Sequence, residues 1–287
     1  MISKERQRVQ KGMLYIVATP IGNLEDITLR AIRTLKEVSL IAAEDTRRTR
    51  KLLDAYGIGV TLTSLYDWNE SEKSASLVAK MLKGVDIAYV SDAGTPGISD
   101  PGYLLIREAL ANGIAVIPIP GACAAIAALS VSGLPTEGFI FHGFFPGKSG
   151  KRQHFLESLK GETKTMVFYE SPARIKATLR DVENILGNRR MVLTRELTKI
   201  YEEILRGSVV EVIESLENRV VKGELTIVIA GKDKDIEEMS CSREDIRRLL
   251  VLYKGKALSN RDLVGKVALE LGIPKKRVYL EAMKDNI

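Results

Sequence analysis

The chain has 287 residues, 45% of them hydrophobic and 28% charged, values typical of a globular protein with room for two domains. Its 43 basic and 37 acidic residues give a net charge of +6, which permits a polyanionic partner without requiring one. No apolar run reaches about 18 residues, so we expect no membrane span. The charged segment 1–11 is also unlike a secretory signal.

The cysteines and histidines are few. Cys123 and Cys241 are isolated and lack the spacing of a zinc site, which indicates a reducing, cytoplasmic setting without a disulfide framework. The two histidines, His142 and His154, are too few for a histidine-rich metal site, and they disfavour triad chemistry based on histidine. We therefore expect no metal ion.

Strands and helices alternate through the first 120 residues. Apolar runs predict strands at residues 14–18, 40–43, 60–63, 87–90 and 114–119. Amphipathic or alanine-rich runs predict helices at residues 29–38, 70–82, 104–110 and 122–129, the first of them capped by Thr28. This alternation is typical of a largely parallel sheet covered by helices.

The loop of residues 91–103 is the most informative segment. It contains three glycines and two prolines between a predicted strand and a predicted helix. Such a loop is tightly turned and allows close approach, and the carboxyl ends of strands are where α/β sheets bind ligands. An ordinary strand-to-helix connection is the alternative. The usual dinucleotide and P-loop signatures are absent, because no G-x-G-x-x-G follows the first strand and no G-x-x-x-x-G-K-[ST] occurs.

Two segments are rich in basic residues. Residues 44–50 combine two acids with three arginines directly after a predicted strand. They indicate either a charged site at a strand end or a solvated helix start. Residues 147–152 form a flexible basic turn, which is either a contact for an RNA backbone or a solvated loop.

The second half of the chain continues the α/β pattern. A strand within residues 139–148 leads from one domain to the next, and further strands are predicted at residues 165–169, 191–194 and 225–231. One helix opens at residues 170–174 and runs to 186, and another lies near residues 209–216. We therefore expect a second α/β domain.

The C-terminal part differs in character. A charged linker at residues 232–238 precedes three helical segments, at residues 243–253, 260–271 and 275–283. The turn at residues 272–274 and the basic residues after it are typical of a helix-turn-helix, although a helical appendage used only for packing is the alternative. The predicted domains are residues 12–138, 139–231 and 232–287.

Six motifs in a fixed order carry a resemblance. They are residues 14–24 (LYIVATPIGNL), 43–47 (AEDTR), 91–103, 120–122 (PGA), 168–172 (FYESP) and 195–199 (RELTK). On these motifs the sequence resembles the tetrapyrrole methylase superfamily, and within it the RsmI branch of small-subunit rRNA cytidine 2′-O-methyltransferases. The resemblance covers about residues 12–231, and the C-terminal segment is similar to that branch's helical appendage.

The resemblance implies a two-domain α/β enzyme, usually a homodimer, that binds S-adenosylmethionine in the cleft between its domains. Its substrate would be a cytidine ribose in the decoding region of small-subunit (16S) rRNA. The tetrapyrrole branch typically has Gly-Asp-Pro where this chain has Gly94-Thr95-Pro96, which leaves the role of Thr95 unassigned. The cofactor-binding residues that the resemblance implies are Pro20, Asp92, Ala93, Gly94, Thr95, Pro96, Ile98, Cys123, Ala124, Tyr169, Glu170, Leu225 and Thr226.

Methyl transfer from a sulfonium to a ribose hydroxyl is an in-line displacement, so positioning supplies much of the rate. The hydroxyl is a poor nucleophile and needs a base or a stabilising cation as its proton leaves. Our hypothesis is that arginines hold phosphates while a carboxylate or Lys199 handles the proton; Arg195 and Asp92 are further candidates. The predicted catalytic residues are Asp45, Arg47, Arg48, Glu196 and Lys199.

Two other functions remain open. One is methylation of a porphyrin or corrin ring, which the replacement of the usual G-x-G-P-G by residues 18–22 and the arginine cluster disfavour. The other is a non-catalytic RNA-binding or ribosome-assembly protein. An aromatic share of 6% disfavours binding of single strands by base stacking, and the intact loop 91–103 disfavours loss of catalysis.

Overall fold

The computed structural model describes residues 10–232, 243–254, 259–271, 273 and 275–284. These form two compact units. The first contains residues 164–230 with the described part of residues 1–160, and the second contains residues 161–163 with the described part of residues 231–287.

The first unit begins with a five-stranded parallel sheet, as the alternation of strands and helices predicted. Its strands are β1 (Leu14–Val17), β2 (Leu40–Ala43), β3 (Leu62–Ser64), β4 (Ile87–Val90) and β5 (Val116–Ile119). Their order is β3-β2-β4-β1-β5, and every neighbouring pair is parallel. The accompanying helices are α1 (Leu29–Glu37), α2 (Thr46–Ala55), α3 (Glu70–Met81), α4 (Tyr103–Ala111) and α5 (Ala124–Ser130).

Both faces of this sheet are covered. In β4, Ile87 and Tyr89 lie in one hydrophobic cluster, whereas Ala88 and Val90 lie in the other. Side chains alternate between the faces of a strand, so a strand buried on both faces needs a continuous apolar run. That requirement explains why the strands of this sheet could be predicted from the sequence.

Two helix starts show how the local sequence sets the fold. The Thr28 hydroxyl accepts the backbone N–H of Ala31 at 3.1 Å, which confirms the predicted cap of α1. Asp45 caps α2 in the same way, accepting the N–H of Arg47 at 2.8 Å. A residue predicted to be catalytic therefore also begins a helix.

The second sheet of the same unit is mixed. It contains β6 (Phe139–Phe144), β7 (Thr165–Glu170), β8 (Arg190–Arg195), β9 (Glu203–Ser208) and β10 (Leu225–Ile229), with α6 (Ser149–Ser158), α7 (Ile175–Leu186) and α8 (Val209–Leu216). The order is β6-β7-β10-β8-β9, and only β6 and β7 pair in parallel. The sequence did not predict β9.

The two sheets are joined through α5. Ala125, Ala128 and Leu129 of this helix share a hydrophobic cluster with Val192 and Val228 of the second sheet. The other face of the second sheet packs on a separate, larger cluster that includes residues of α6, α7 and α8. The carboxyl ends of the first sheet consequently meet the second sheet near the start of α5.

The prediction that residues 147–152 form a flexible basic turn is wrong, because α6 begins at Ser149. The prediction that this turn contacts an RNA backbone is also wrong for Arg152, because this residue is buried. The Arg152 guanidinium donates to the Asp181 carboxylate of α7 at 2.7 Å, and Gln153 donates to the same carboxylate at 2.9 Å. A buried charge requires such a partner, and the pair ties α6 to α7.

The second unit contains the three predicted C-terminal helices, α9 (Arg243–Lys254), α10 (Asn260–Leu271) and α11 (Lys275–Lys284). They share a core of their own, which includes Ile246, Val267 and Val278. The predicted linker beyond Lys232, two residues of the predicted turn (Gly272 and Pro274) and Cys241 lie outside the described residues. None of the helices in the described ranges is long and apolar enough to cross a membrane.

Candidate functional site: a cleft between two sheets

A cavity of about 430 Å³ lies where the carboxyl ends of the first sheet meet the second sheet. Its volume falls in the range of roughly 300–1,000 Å³ that is usual for small-molecule and cofactor sites. One side is formed by the loop after β4 and the start of α5, and the other by the ends of β7 and β10. We call this cavity the cleft.

The middle of the loop after β4 is tied to its neighbours by backbone bonds. Gly94 and Thr19, which follows β1, exchange two N–H···O bonds of 2.8 and 3.0 Å. Gly94 has φ +81°, a conformation that a residue with a side chain rarely adopts. The Thr95 hydroxyl donates to the carbonyl oxygen of Ala122 at 3.1 Å. Thr95 therefore joins this loop to the turn before α5, a role that the sequence left unassigned.

Acidic side chains anchor the near end of the loop. The Asp92 carboxylate accepts the N–H of Asp45 at 3.0 Å and pairs with the Arg48 guanidinium at 3.0 Å. Glu44 in turn accepts the N–H of Asp92 at 3.2 Å. These contacts support the prediction that Asp92 holds the loop, and they add Glu44, which the sequence placed only within a motif.

Glu70 anchors the far end, and the sequence gave no sign of it. Its buried carboxylate accepts the N–H of Gly102 at 2.9 Å and that of Leu104 at 2.8 Å. Gly102 has φ +122°, so the chain turns sharply here. As at the start of every helix, the first N–H groups of α4 have no partner within the helix. The Glu70 oxygen satisfies them and fixes where the loop ends.

Tyr169 and Glu170 lie on the second-sheet side of the cleft. The Tyr169 hydroxyl accepts the N–H of Ala125 at 3.2 Å, and burial, with a smaller effect of Cys123, raises the pKa of this phenol. The Glu170 carboxylate accepts from the Arg174 guanidinium at 2.6 Å and from the Thr178 hydroxyl at 2.7 Å. Tyr169 consequently remains a neutral phenol, while Glu170 braces the turn that follows β7.

The turn after β8, residues 195–199, is strained and touches the first-sheet half. Glu196 and Thr198 have φ +52° and +67°, values that are uncommon for residues other than glycine. The Thr198 hydroxyl accepts the N–H of Asn23 at 3.1 Å. A Cβ atom at Gly22 would overlap the Lys199 side chain, so only glycine fits there. Backbone strain of this kind often marks functional sites.

The same turn carries a charged cluster at the edge of the cleft. The Lys199 ammonium donates to Glu196 at 2.8 Å and to Glu224, a residue of the cleft wall, at 3.0 Å. Burial alone would lower the pKa of Lys199, but the bonds to Glu196 and Glu224 outweigh it and raise that pKa. The Lys199 bond likewise lowers the pKa of Glu196. Both groups are therefore charged at neutral pH.

The wall of the cleft is acidic. It includes five acidic residues and one arginine. The acidic residues are Glu44, Asp92, Asp100, Glu170 and Glu224, and the arginine is Arg48; the carboxylate of Glu170 is itself buried against Arg174. Among the residues that the structure describes, no group of three or more metal-ligating side chains could hold a metal ion.

The family model for tetrapyrrole (corrin/porphyrin) methylases matches residues 13–213. The chain belongs to this family. A relative from Halalkalibacterium halodurans, named "Ribosomal RNA small subunit methyltransferase I", is 46% identical over 276 residues, or 96% of each chain. A relative of the same name from Thermotoga maritima is 47% identical over 222 residues, which are 77% of this chain and 100% of the relative.

Similarity in fold extends further. The solved structure of a diphthine synthase superposes with a TM-score of 0.60 at 15% identity, and the match covers 81% of this chain and 95% of that one. These similarities confirm the prediction that this chain has a tetrapyrrole-methylase-like α/β fold.

Most of the predicted cofactor residues of this methylase lie together in the cleft wall. Those that line it are Asp92, Ala93, Gly94, Thr95, Ile98, Cys123, Ala124, Tyr169, Glu170, Leu225 and Thr226. Pro20 and Pro96 are not among the residues lining it. Wall residues that the prediction omitted include Ile21, Glu44, Ser99, Asp100 and Phe144.

The predicted catalytic residues form two groups around the cleft. Arg48 lines it directly, and Asp45 is linked to its wall through Asp92. Glu196 and Lys199 reach it from the other half through Glu224. Arg47 does not line the cleft and instead lines a second cavity beside α2.

Proposed function

We propose that this methylase transfers a methyl group from S-adenosylmethionine to the ribose 2′-hydroxyl of a cytidine in the decoding region of small-subunit ribosomal RNA. The observation that carries the proposal is the relative 46% identical over 96% of both chains, whose name specifies methylation of small-subunit rRNA. The family model alone leaves the substrate open, since its description names corrin and porphyrin methylases.

The cleft suits this cofactor in size and in charge. S-adenosylmethionine carries a sulfonium, an ammonium and a carboxylate group, so its net charge is positive. The five acidic residues of the wall outnumber Arg48, Arg174 and Lys199, the cations that pair with three of them, and this excess favours a cation. Apolar side chains such as Ile98 and Phe144, both partly exposed, can cover the remainder of the molecule. Bound there, the cofactor would supply an electrophilic methyl group.

The residues at the edge of the cleft match what the hydroxyl requires. Because the pKa of Lys199 is raised, its ammonium stays protonated, so we assign it the stabilisation of negative charge on the ribose oxygen. A carboxylate then accepts the proton, and Asp45 and Glu196 are the candidates. Hydrogen bonds from Arg47 lower the pKa of Asp45, which keeps that carboxylate ionised.

The proposed setting follows from the substrate. Ribosomal subunits are assembled in the cytoplasm, and we expect the methylase to act there as a homodimer. Arg47 and Arg48, which follow Asp45, would contact the RNA. Methylation of a tetrapyrrole ring, or binding of RNA without catalysis, are the outcomes against which the proposal is tested.

The test incubates the protein with small ribosomal subunits that lack the modification and with S-adenosylmethionine labelled in its methyl group. We expect label on one cytidine, at a bond that resists alkaline hydrolysis because its 2′-oxygen is blocked. Label on a base, or no label despite calorimetric binding of the cofactor, would overturn the proposed reaction. A change in the absorption of an added tetrapyrrole would favour the first alternative.

Three variants identify the residues. Asp45→Asn, Glu196→Gln and Lys199→Ala should all retain cofactor binding. Lys199→Ala should lose methylation, as should whichever of the other two variants removes the base. Wild-type turnover in all three would remove the catalytic assignment while leaving the reaction itself standing.

A further inference from the structure

A second cavity of about 720 Å³ opens beside α2 and is not part of the cleft. It is lined by Thr46, Arg47, Arg50, Leu62, Thr63 and Ser64. We call it the basic groove, because these six described residues include two arginines and no carboxylate. Its walls are the first turns of α2 and the whole of the edge strand β3.

The basic groove and the cleft share one helical turn. Arg47 lines the groove, and the next residue, Arg48, lines the cleft. Successive residues of an α-helix point about 100° apart, since a turn takes 3.6 residues. The two cavities therefore flank the same turn of α2, and a ligand that passes over this turn reaches both.

Both arginines of the groove are held in place. The Arg47 guanidinium donates to the Asp45 carboxylate from Nε at 3.3 Å and from Nη2 at 3.2 Å, although its side chain is 89% exposed. Arg50 donates from Nη2 to the carbonyl oxygen of Val60 at 3.1 Å. A guanidinium has five N–H donors, so these bonds orient the groups and leave donor capacity for an anion.

The polar surface opposite the arginines also suits a nucleic-acid backbone. Thr63 and Ser64, two residues with hydroxyl groups, line the groove at the end of β3. Arginine guanidinium groups together with hydroxyl groups are the usual contacts of phosphate and sugar oxygens, and they carry no sequence information themselves. The groove consequently has the chemistry of a backbone-binding site.

We propose that the basic groove binds the phosphates of the RNA strand that flank the target nucleotide, while the target ribose enters the cleft across the shared turn of α2. This inference rests on the proposed function, because it presupposes an RNA substrate. It adds a second site, with Arg50 as a new contact, and it gives the strand a path from one cavity to the other.

The experiment measures RNA and cofactor affinities for three variants of the full chain. Arg47→Ala and Arg50→Lys alter the groove, and Lys51→Ala is the matched control, because it removes an exposed charge from the same helix outside the groove. We expect Arg47→Ala to weaken binding of small-subunit RNA about tenfold. The slope of log affinity against log salt should become less steep by about 1, the share of one phosphate contact. Arg50→Lys keeps the charge but loses the fork of donors, and we expect a smaller loss.

Cofactor affinity, measured by calorimetry, should be unchanged in all three variants, and Lys51→Ala should bind RNA like the wild type. The groove assignment fails if Arg47→Ala binds and methylates RNA as the wild type does, or if Lys51→Ala loses as much. It also fails if Arg47→Ala changes the oligomeric state in light scattering, because the groove would then be a protein interface. Failure of the proposed function looks different: the wild type itself would not methylate RNA.

Discussion

The cleft and the basic groove flank one turn of α2, yet their walls carry opposite charge. The cleft wall includes five acidic residues beside Arg48, whereas the described lining of the groove includes Arg50 and Arg47, the partner of Asp45, and no acidic residue. Under the proposed function, a cationic methyl donor and a polyanionic strand would be attracted to different faces of the same helix. Charge would separate the two ligands, and the shared turn would bring them together.

The largest expected effect concerns Lys199, the cation at the acidic edge of the cleft. Lys199→Met should lower kcat about 100-fold, the usual cost of removing one group that stabilises developing negative charge. Lys199→Arg should retain most of the rate, because an arginine keeps the positive charge. The measurement is single-turnover methylation of small subunits.

The pH profile separates a cation from a base at this position. The pKa of Lys199 is raised above its ordinary value of 10.5, so the stabilisation from its ion pairs is present below that value and is lost as the pH rises through the raised pKa. We expect no titration of Lys199 between about pH 7 and pH 9. An inactive Lys199→Arg variant, or a wild-type rate that climbs steeply toward the lysine pKa, would show that Lys199 acts as the base.

The next largest effect concerns the anchor of the cleft loop. Glu70→Ala leaves the N–H groups of Gly102 and Leu104 without their acceptor, which should cost about 1–3 kcal/mol of unfolding free energy and weaken cofactor binding. Glu70→Gln retains an acceptor oxygen and should recover most of both. Urea unfolding and calorimetry are the measurements. Glu72→Ala, an exposed change in the same helix, is the control, and equal behaviour of the two alanine variants would contradict the anchoring role.

The next prediction compares alanine substitutions at two glycines of the same loop. Gly94 and Gly97 have φ +81° and +80°, so alanine is strained equally at both. Only Gly94 lines the cleft, whereas a Cβ at Gly97 would have nothing within 4 Å. We expect similar losses of thermal stability but about tenfold weaker cofactor binding for Gly94→Ala alone, since 1.4 kcal/mol of lost contact is a factor of ten. Equal affinities would place the cofactor away from Gly94.

The smallest predicted effect tests the charges of the two sites directly. Two phosphate contacts on a single strand give a slope of about −1.4 for log affinity against log salt. Raising salt from about 50 to about 200 mM should therefore weaken RNA binding at least about sevenfold. Cofactor affinity should change much less, because the cofactor is a small molecule with a single net positive charge and releases few counterions, whereas the RNA is a polyanion. Equal salt dependence of the two affinities would remove the distinction between the cleft and the groove.

The sequence predicted elements whose cause is local. Strands β2 and β4 are continuous apolar runs because both faces are buried, and their bounds were exact. Strand β9, an edge strand with the mixed sequence EILRGS, has no such pattern. Its six residues pair in register with the preceding strand β8, which was itself predicted, so this pairing defines β9 and an apolar pattern of its own does not.

The same division applies to the site. The residues of the loop after β4 were predicted because its glycines and prolines indicate a tight turn and because its motif resembles that of a known family. Glu70 was missed since its partners, Gly102 and Leu104, lie 32 and 34 residues further along the chain. Arg152 was misassigned for the same reason, because Asp181, 29 residues away, neutralises it.

The meeting of Asn23 with Thr198 has a consequence for ligand exchange. One hydrogen bond of 3.1 Å, together with the packing of Lys199 on Gly22, joins the turns that belong to the two halves of the cleft. A hydrogen bond contributes only about 1 kcal/mol net, so these turns can part at little cost while both sheets stay intact. Under the proposed function, a spent cofactor would leave through this edge on the time scale of loop motion, and turnover would not wait for any part of the core to unfold.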